Sequence, residues 1–232
     1  MSEFLVPTFW MGLLQIVAID LVLSGDNAVV IALACRRLQP EQRRIGVFCG
    51  VAGAVGLRVV LTAFAASLLG LAWLKLLGGL VLLWIGAKLL LPEDDGGHEI
   101  DAATSVAGAV KTIIVADFVM SVDNVIGVAG AAGDSLVLLG LGLAVSIPII
   151  VWSSQFIMKS MERFPVIVTL GAALLGWVAG GMIVDDPLWR VVLVERPGWL
   201  RPLAGLVGIA LVLGVARMLR KRAGGGPERQ IL

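Results

Sequence analysis

Apolar residues along this chain come in long unbroken blocks. Seven of them run near 8–33, 45–70, 73–91, 107–132, 135–158, 165–184 and 202–219. Each is about as long as the roughly 20 residues a helix needs to cross a hydrocarbon core. The pattern predicts an all-α membrane protein with seven transmembrane helices. The breaks between blocks are polar. Arg36-Arg37-Leu38-Gln39-Pro40-Glu41-Gln42-Arg43-Arg44 forms a compact basic turn, and Pro92-Glu93-Asp94-Asp95-Gly96-Gly97-His98-Glu99 an acidic loop. The last helix ends in Arg217, Arg220, Lys221 and Arg222, and the polar, Gly-rich tail beyond it is expected to be disordered.

The blocks repeat. Residues 17–27 read Val-Ala-Ile-Asp-Leu-Val-Leu-Ser-Gly-Asp-Asn, and residues 115–124 read Val-Ala-Asp-Phe-Val-Met-Ser-Val-Asp-Asn. Asp20, Ser24, Asp26 and Asn27 thus recur as Asp117, Ser121, Asp123 and Asn124, each 97 positions further on. Downstream, Leu77-Gly78 and Trp84 recur as Leu170-Gly171 and Trp177, 93 positions on. Each half holds three spans, an odd number, so the second half must enter the membrane upside down. Inverted repeats of this kind are common in secondary transporters, with the site near the midplane between the repeats. The organisation read from the chain is a first three-helix repeat at 1–91, an acidic cytoplasmic loop at 92–106 and an inverted second repeat at 107–184. An external loop at 185–201, a seventh packing helix at 202–219 and a basic cytoplasmic tail at 220–232 complete it.

Composition agrees with the block pattern. Of 232 residues, 59% are hydrophobic, above the roughly half usual in soluble domains, and mean hydropathy is +0.99. The net charge of +1 suggests no nucleic-acid partner. The two cysteines, Cys35 and Cys49, offer neither a disulfide framework nor metal-type spacing. No basic residue precedes the first block, so it does not read as a cleavable signal. Arg36, Arg37, Arg43, Arg44, Lys88, Lys111, Lys159, Arg163 and the tail cluster fall on one side, against Lys75, Arg190, Arg196 and Arg201 on the other. The positive-inside rule then places the N-terminus outside and the C-terminus in the cytoplasm of a plasma (inner) membrane. Trp10, Trp73, Trp189 and Trp199 fall at outer ends, as an interfacial belt requires.

All seven glutamates, and Asp94, Asp95, Asp101, Asp134, Asp185 and Asp186, fall outside the blocks. Asp20, Asp26, Asp117 and Asp123 do not. A mid-membrane aspartate costs about 2.5–3.5 kcal/mol on insertion scales, so four approach about 10 kcal/mol, large beside the 5–15 kcal/mol that typically holds a protein folded. On a continuous helix Asp20, Ser24 and Asn27 share a face, whereas Asp26 is rotated by about 120°. Gly25 is a place where the helix can open and bring Asp26 round; Val122 stands there in the second half, so the same break is less expected in that copy. Read as straight helices, Asp20 and Asp117 lie near mid-span, Asp26 toward the cytoplasm and Asp123 toward the outside. Carboxylates, amides and hydroxyls suit Mg²⁺, Ca²⁺ or Mn²⁺ better than softer ions; Met120, though adjacent, points elsewhere on the helix. Protons are the natural substitute for the metal on a return step, giving metal–proton exchange. Arg58, inside the second block, is either a counter-ion for an unoccupied aspartate or a snorkelling side chain. His98 reads as a solvated loop residue, and the cysteines as small interfacial residues.

The segments Asp-x-x-x-Ser-Gly-Asp-Asn-Ala-Val and Asp-x-x-x-Ser-Val-Asp-Asn-Val resemble the TerC family of integral membrane proteins, in its short, seven-helix YjbE-type branch. The resemblance covers residues 8–185 and includes Arg58. It implies a fold grouped with LysE-type transporters, a link to tellurium resistance and manganese export, and metal-pathway roles for Asp20, Asp26, Asn27, Asp117, Asp123 and Asn124, with Ser24, Ser121 and Arg58 in support. The leading expectation is a secondary transporter exporting divalent metal, Mn²⁺ foremost, with no permanent cofactor; its partners are the cation, protons and the bilayer, and a homo-oligomer is compatible with the sequence. The alternatives are a channel or an exporter of another hard cation such as Ca²⁺, and a non-transporting scaffold in a metal or tellurite stress response. An intramembrane enzyme is disfavoured, because the motif offers no nucleophile–base pair.

Overall fold

The structure is a computed structural model. It describes residues 7–64, 71–91, 105–132, 136–190 and 197–223, with the side chains of 7–8, 123–132, 136, 190 and 220–223 excepted. The described residues are helical, with short turns between helices and no strand. The helices are α1 (Pro7–Leu23), α2 (Gly25–Cys35), α3 (Pro40–Ala63), α4 (Leu74–Leu90), α5 (Val106–Ala132), α6 (Leu136–Arg163), α7 (Val166–Val184) and α8 (Leu200–Ala223), with one 3-10 turn at Pro187–Arg190.

Local sequence explains where they start and stop. Pro40 opens α3, where its missing N–H is no loss. The Ser105 hydroxyl accepts the Gly108 N–H at 3.0 Å and caps α5. Several helices overrun their apolar blocks: α3 begins at Pro40 rather than 45, α6 ends at Arg163 rather than 158, and α8 reaches Ala223 rather than 219. The extra turns carry charged side chains such as Arg43, Arg44 and Glu162, which a helix tolerates once it projects past the apolar layer. Four residues assigned to the tail, 220–223, are therefore helical. The acidic loop through Thr104, with His98, and the tail from 224 lie outside the described residues.

α3, α6, α7 and α8 are each long and apolar enough to cross a membrane, and the pair α1–α2, bent by 53° at one residue, passes the same test when its two parts are taken together, for four to five candidate spans among the described residues. α4, at 17 residues, is about 26 Å long, and α5 has 27 residues. The surface has the character such a layer demands. Trp10, Trp84, Trp152, Trp177 and Phe156 all stand exposed, an apolar outer face of a kind soluble monomers rarely carry.

α3 packs on α5, α1 on α6, and α4 on α7, while α8 lies along α7. One apolar cluster runs from α2 through α8, with Leu82, Ile113 and Leu175 fully buried; Ile16, Leu139 and Leu143 make a smaller one between α1 and α6. The α7–α8 contact is backbone to backbone: a Cβ on Gly208 would lie 1.9 Å from the carbonyl oxygen of Gly176. Only glycine permits that approach.

Candidate functional site: a buried arginine between two aspartates

The block around Asp20 does not run straight. Ser24 leaves helical geometry at φ −104° and ψ 5° and separates α1 from α2. Its repeat, α5, runs unbroken through Ser121. This is the difference expected from Gly25 in one copy and Val122 in the other. A break inside an apolar layer frees backbone groups that must find partners. It also starts a new helix at Gly25, with Asp26 in its first turn and the Asp26 carboxylate accepting the Asn27 N–H at 2.9 Å.

Around the break the two repeats meet. Asp20, Ser24, Arg58, Asp117 and Ser121 are all buried, with Asp20 at 0% exposure, Arg58 at 3% and Asp117 at 4%. One guanidinium holds the set together. Nη1 of Arg58 donates to Asp20 Oδ1 and, at 2.9 Å, to the Ser24 hydroxyl; Nη2 donates to Asp117 Oδ1; and Nε donates to the Ser121 hydroxyl at 3.1 Å. Each serine in turn donates to the aspartate one helical turn before it, Ser24 to Asp20 at 3.1 Å and Ser121 to Asp117 at 3.1 Å. The arrangement repeats almost atom for atom across the guanidinium. Of the two readings of Arg58, the counter-ion is the one realised. It does not snorkel, because α3 is covered on this face by α5 and the fork geometry of arginine matches two carboxylates at once.

Three buried acceptor or donor atoms beside this cluster have no partner among the described residues: Asp20 Oδ2 and both polar atoms of the Asn27 amide. Buried polar atoms are ordinarily paired. Asp26 is turned elsewhere. It lines a cavity of about 410 Å³ together with Met120, Trp177, Gly181, Met182, Arg201 and Pro202. That cavity extends to the end of α7 and the first turn of α8, the end the charge pattern assigns to the outside. The straight-helix reading put Asp26 toward the cytoplasm; the bend at Ser24 removes the basis for that projection. Met120, set aside on the sequence, faces the same cavity from α5, and Met182 joins it, so two thioethers accompany the oxygens. Arg201 Nε is 3.2 Å from Asp185 Oδ2 beside it.

Among the described residues no three His, Cys, Asp or Glu side chains come together as a metal-sized group. Asp20 and Asp117 share Arg58 instead. Asp123 and Asn124 lie on α5, but their side chains are outside the described residues.

One acid outside the apolar blocks is structural. Asp186 is fully buried and accepts the N–H groups of Trp73 at 3.0 Å, Leu76 at 3.0 Å and Leu188 at 2.8 Å. It caps α4 from across the fold and steadies Trp73, whose φ of 76° is unusual for a side-chain-bearing residue. Burial works against its charge, but these backbone donors prevail and hold its carboxyl below the usual carboxylate range. The signal was present: Asp186 precedes Pro187, and aspartate in that setting bonds its own backbone two residues on.

Fold and site together define a multi-pass helical membrane protein with an arginine–aspartate cluster buried between two related segments. The chain belongs to the integral membrane protein TerC family, whose sequence model matches residues 5–224. It is 40% identical over 205 residues to the "Uncharacterized membrane protein YjbE" of Bacillus subtilis (strain 168), covering 88% of this chain and 93% of that one. It is 25% identical over 197 residues to the "UPF0053 inner membrane protein YgdQ" of Escherichia coli (strain K12), covering 78% and 83%. To the "Uncharacterized membrane protein YkoY" of Bacillus subtilis (strain 168) it is 26% identical over 187 residues, covering 72% and 57%. No solved structure gives a significant match.

Proposed function

We propose that this protein is a secondary transporter that exports a divalent cation, Mn²⁺ foremost, from the cytoplasm. The observation that carries the reading is the Arg58 guanidinium lodged between Asp20 and Asp117, one carboxylate from each repeat. Two buried carboxylates need positive charge, and a divalent ion would supply what the tethered arginine supplies here. Arg58 then neutralises the empty carrier and gives way when cargo arrives. The unpartnered oxygens of Asp20 and Asn27 support an oxygen-rich stopping place beside it. The Asp26 cavity supports a path from there to the outer surface. Manganese comes from the family resemblance, and the chemistry of the residues favours only its class; the thioethers of Met120 and Met182 make the lining less purely hard than the motif alone.

The architecture behind this reading is seven spans: α1–α2 as one broken crossing, then α3 to α8, with the N-terminus outside. In that topology α1–α2, α3 and α4 form one repeat and α5, α6 and α7 its inverted copy. Support comes from packing, since α1 on α6 mirrors α3 on α5, and α4 on α7 is its own mirror image. The copies differ where α1–α2 is broken and α5 is one continuous helix. Two related halves held in different shapes are what alternating access needs, each taking the other's shape as the site changes sides.

The test is cation flux in vesicles reconstituted with the purified chain. Mn²⁺ should move, and Asp20→Asn or Asp117→Asn should abolish movement with folding intact. Unchanged flux in both variants would sink the site. No flux in the wild type across a panel of divalent cations would instead favour a scaffold. Dependence on a pH gradient tests proton exchange.

A further inference from the structure

A second cavity, of about 290 Å³, opens between α2, α4 and α5, at the opposite end of the bundle from the Asp26 cavity. Its lining divides sharply. Leu33, Val81, Trp84, Ile85, Leu89 and Val115 make apolar walls, while three positive charges converge on them, Arg37 from the turn after α2, Lys88 from α4 and Lys111 from α5. Trp84 and Val81 are exposed at its rim, on the surface that faces hydrocarbon. The Lys88 and Lys111 ammonium groups have no carboxylate partner among the described residues; Arg37 is anchored by donating to the Leu91 carbonyl. Basic side chains at this end satisfy the positive-inside rule, but that rule needs no cavity and no convergence.

We propose that this cavity is a binding site for an anionic phospholipid of the cytoplasmic leaflet. The phosphate sits among Arg37, Lys88 and Lys111, and an acyl chain runs down over Trp84 and Val81. Three observations select a lipid. The charges call for an anion. The walls beneath them are apolar and continuous with the lipid-facing surface, as a soluble anion does not require. Basic pockets between membrane helices on the cytoplasmic side are suited to such headgroups. The site also has a structural consequence. A lipid there joins the C-terminal ends of α2 and α4 to the first turns of α5, so it bears on the helix that is broken at Ser24 and on its unbroken repeat.

The rival source of negative charge is the chain itself, since Glu93, Asp94, Asp95, Glu99 and Asp101 all lie in the connection between α4 and α5. The experiment separates the two. The full chain in nanodiscs of phosphatidylcholine is melted with increasing phosphatidylglycerol, and bound lipid is counted by native mass spectrometry. Wild type should melt higher with phosphatidylglycerol and retain it through delipidation. Lys88→Gln with Lys111→Gln should weaken retention by about five-fold per charge removed, roughly 25-fold together, while the melting temperature in pure phosphatidylcholine stays as in wild type. Equal retention of both lipids by wild type would overturn the proposal, as would unchanged retention in the double variant. Protection by inorganic phosphate equal to that by the lipid would make it a soluble-anion site instead. Phosphatidylglycerol selectivity appearing only after the five loop acids are neutralised would make the connection the occupant. A double variant that fails to fold is replaced by Trp84→Ala, which removes the acyl wall and keeps the charges; it should lower retention of phosphatidylglycerol, and unchanged retention would likewise count against the site.

Discussion

Replacing Arg58 by methionine isolates what the guanidinium does. Methionine keeps much of the aliphatic stem and removes the charge, leaving Asp20 and Asp117 facing each other in an apolar interior with only Ser24 and Ser121 as donors. Breaking a buried ion pair by removing one partner costs about 3–5 kcal/mol, because the other charge is left uncompensated. In a chain of this length that corresponds to a melting shift on the order of 10 °C. If the carboxylates are built to hold a cation, the deficit is recoverable. A divalent ion at about 100 times its dissociation constant returns about 2.7 kcal/mol. Melting of the detergent-solubilised variant, followed by tryptophan fluorescence, should therefore start low and climb with Mn²⁺, whereas wild type, whose carboxylates are already occupied, should respond weakly. Arg58→Lys should fall between, since a single ammonium cannot bridge two carboxylates as a planar fork does. A variant as stable as wild type, or one whose loss no divalent cation repairs, would refute the idea that Arg58 stands in for cargo.

Other outcomes follow from the same contacts. Gly25→Ala meets no neighbouring atom within 4 Å and improves helix propensity by up to about 1 kcal/mol; it should shift the α1–α2 pair toward a straight helix, read as a changed distance between spin labels on the two halves, and should slow cation flux. Gly208→Val must push α8 off α7, costing about 1–3 kcal/mol, whereas Gly214→Ala, with open space around it, should raise the melting temperature slightly through the same propensity gain. Asp186 has a folded pKa below its unfolded value, so its contribution to stability is present above the unfolded value of about 4 and is lost as pH falls through the folded one. Melting measured from pH 7 to pH 2 should show that loss in wild type. Asp186→Asn should melt lower at neutral pH, by about 1–3 kcal/mol, and show a weaker fall in acid.

The helices and the polar cluster were legible in the sequence for a single reason: the membrane imposes a strong solvent rule. Any long apolar block must be helical to satisfy its own backbone, and any charge within one stands out by its cost. That was enough to single out Asp20, Asp117, Ser24, Ser121 and Arg58, and to mark Gly25 as a place for the first copy to open, with a break less expected beside Val122. What the sequence left open was who faces whom. Whether Arg58 reached inward or toward an interface depended on α5 covering that face of α3, a contact 59 positions away along the chain. The helix does open beside Gly25, but the 53° bend at Ser24 does not bring Asp26 round to Asp20; Asp26 lines a separate cavity, and helical wheel geometry carries no information across a break. Asp186 read as one more loop acid because its partners Trp73 and Leu76 lie more than a hundred residues upstream. Solvent chooses which residues are buried, and periodicity shows it; the pairing of buried groups is settled only when separate helices meet, and only the tertiary structure decides that.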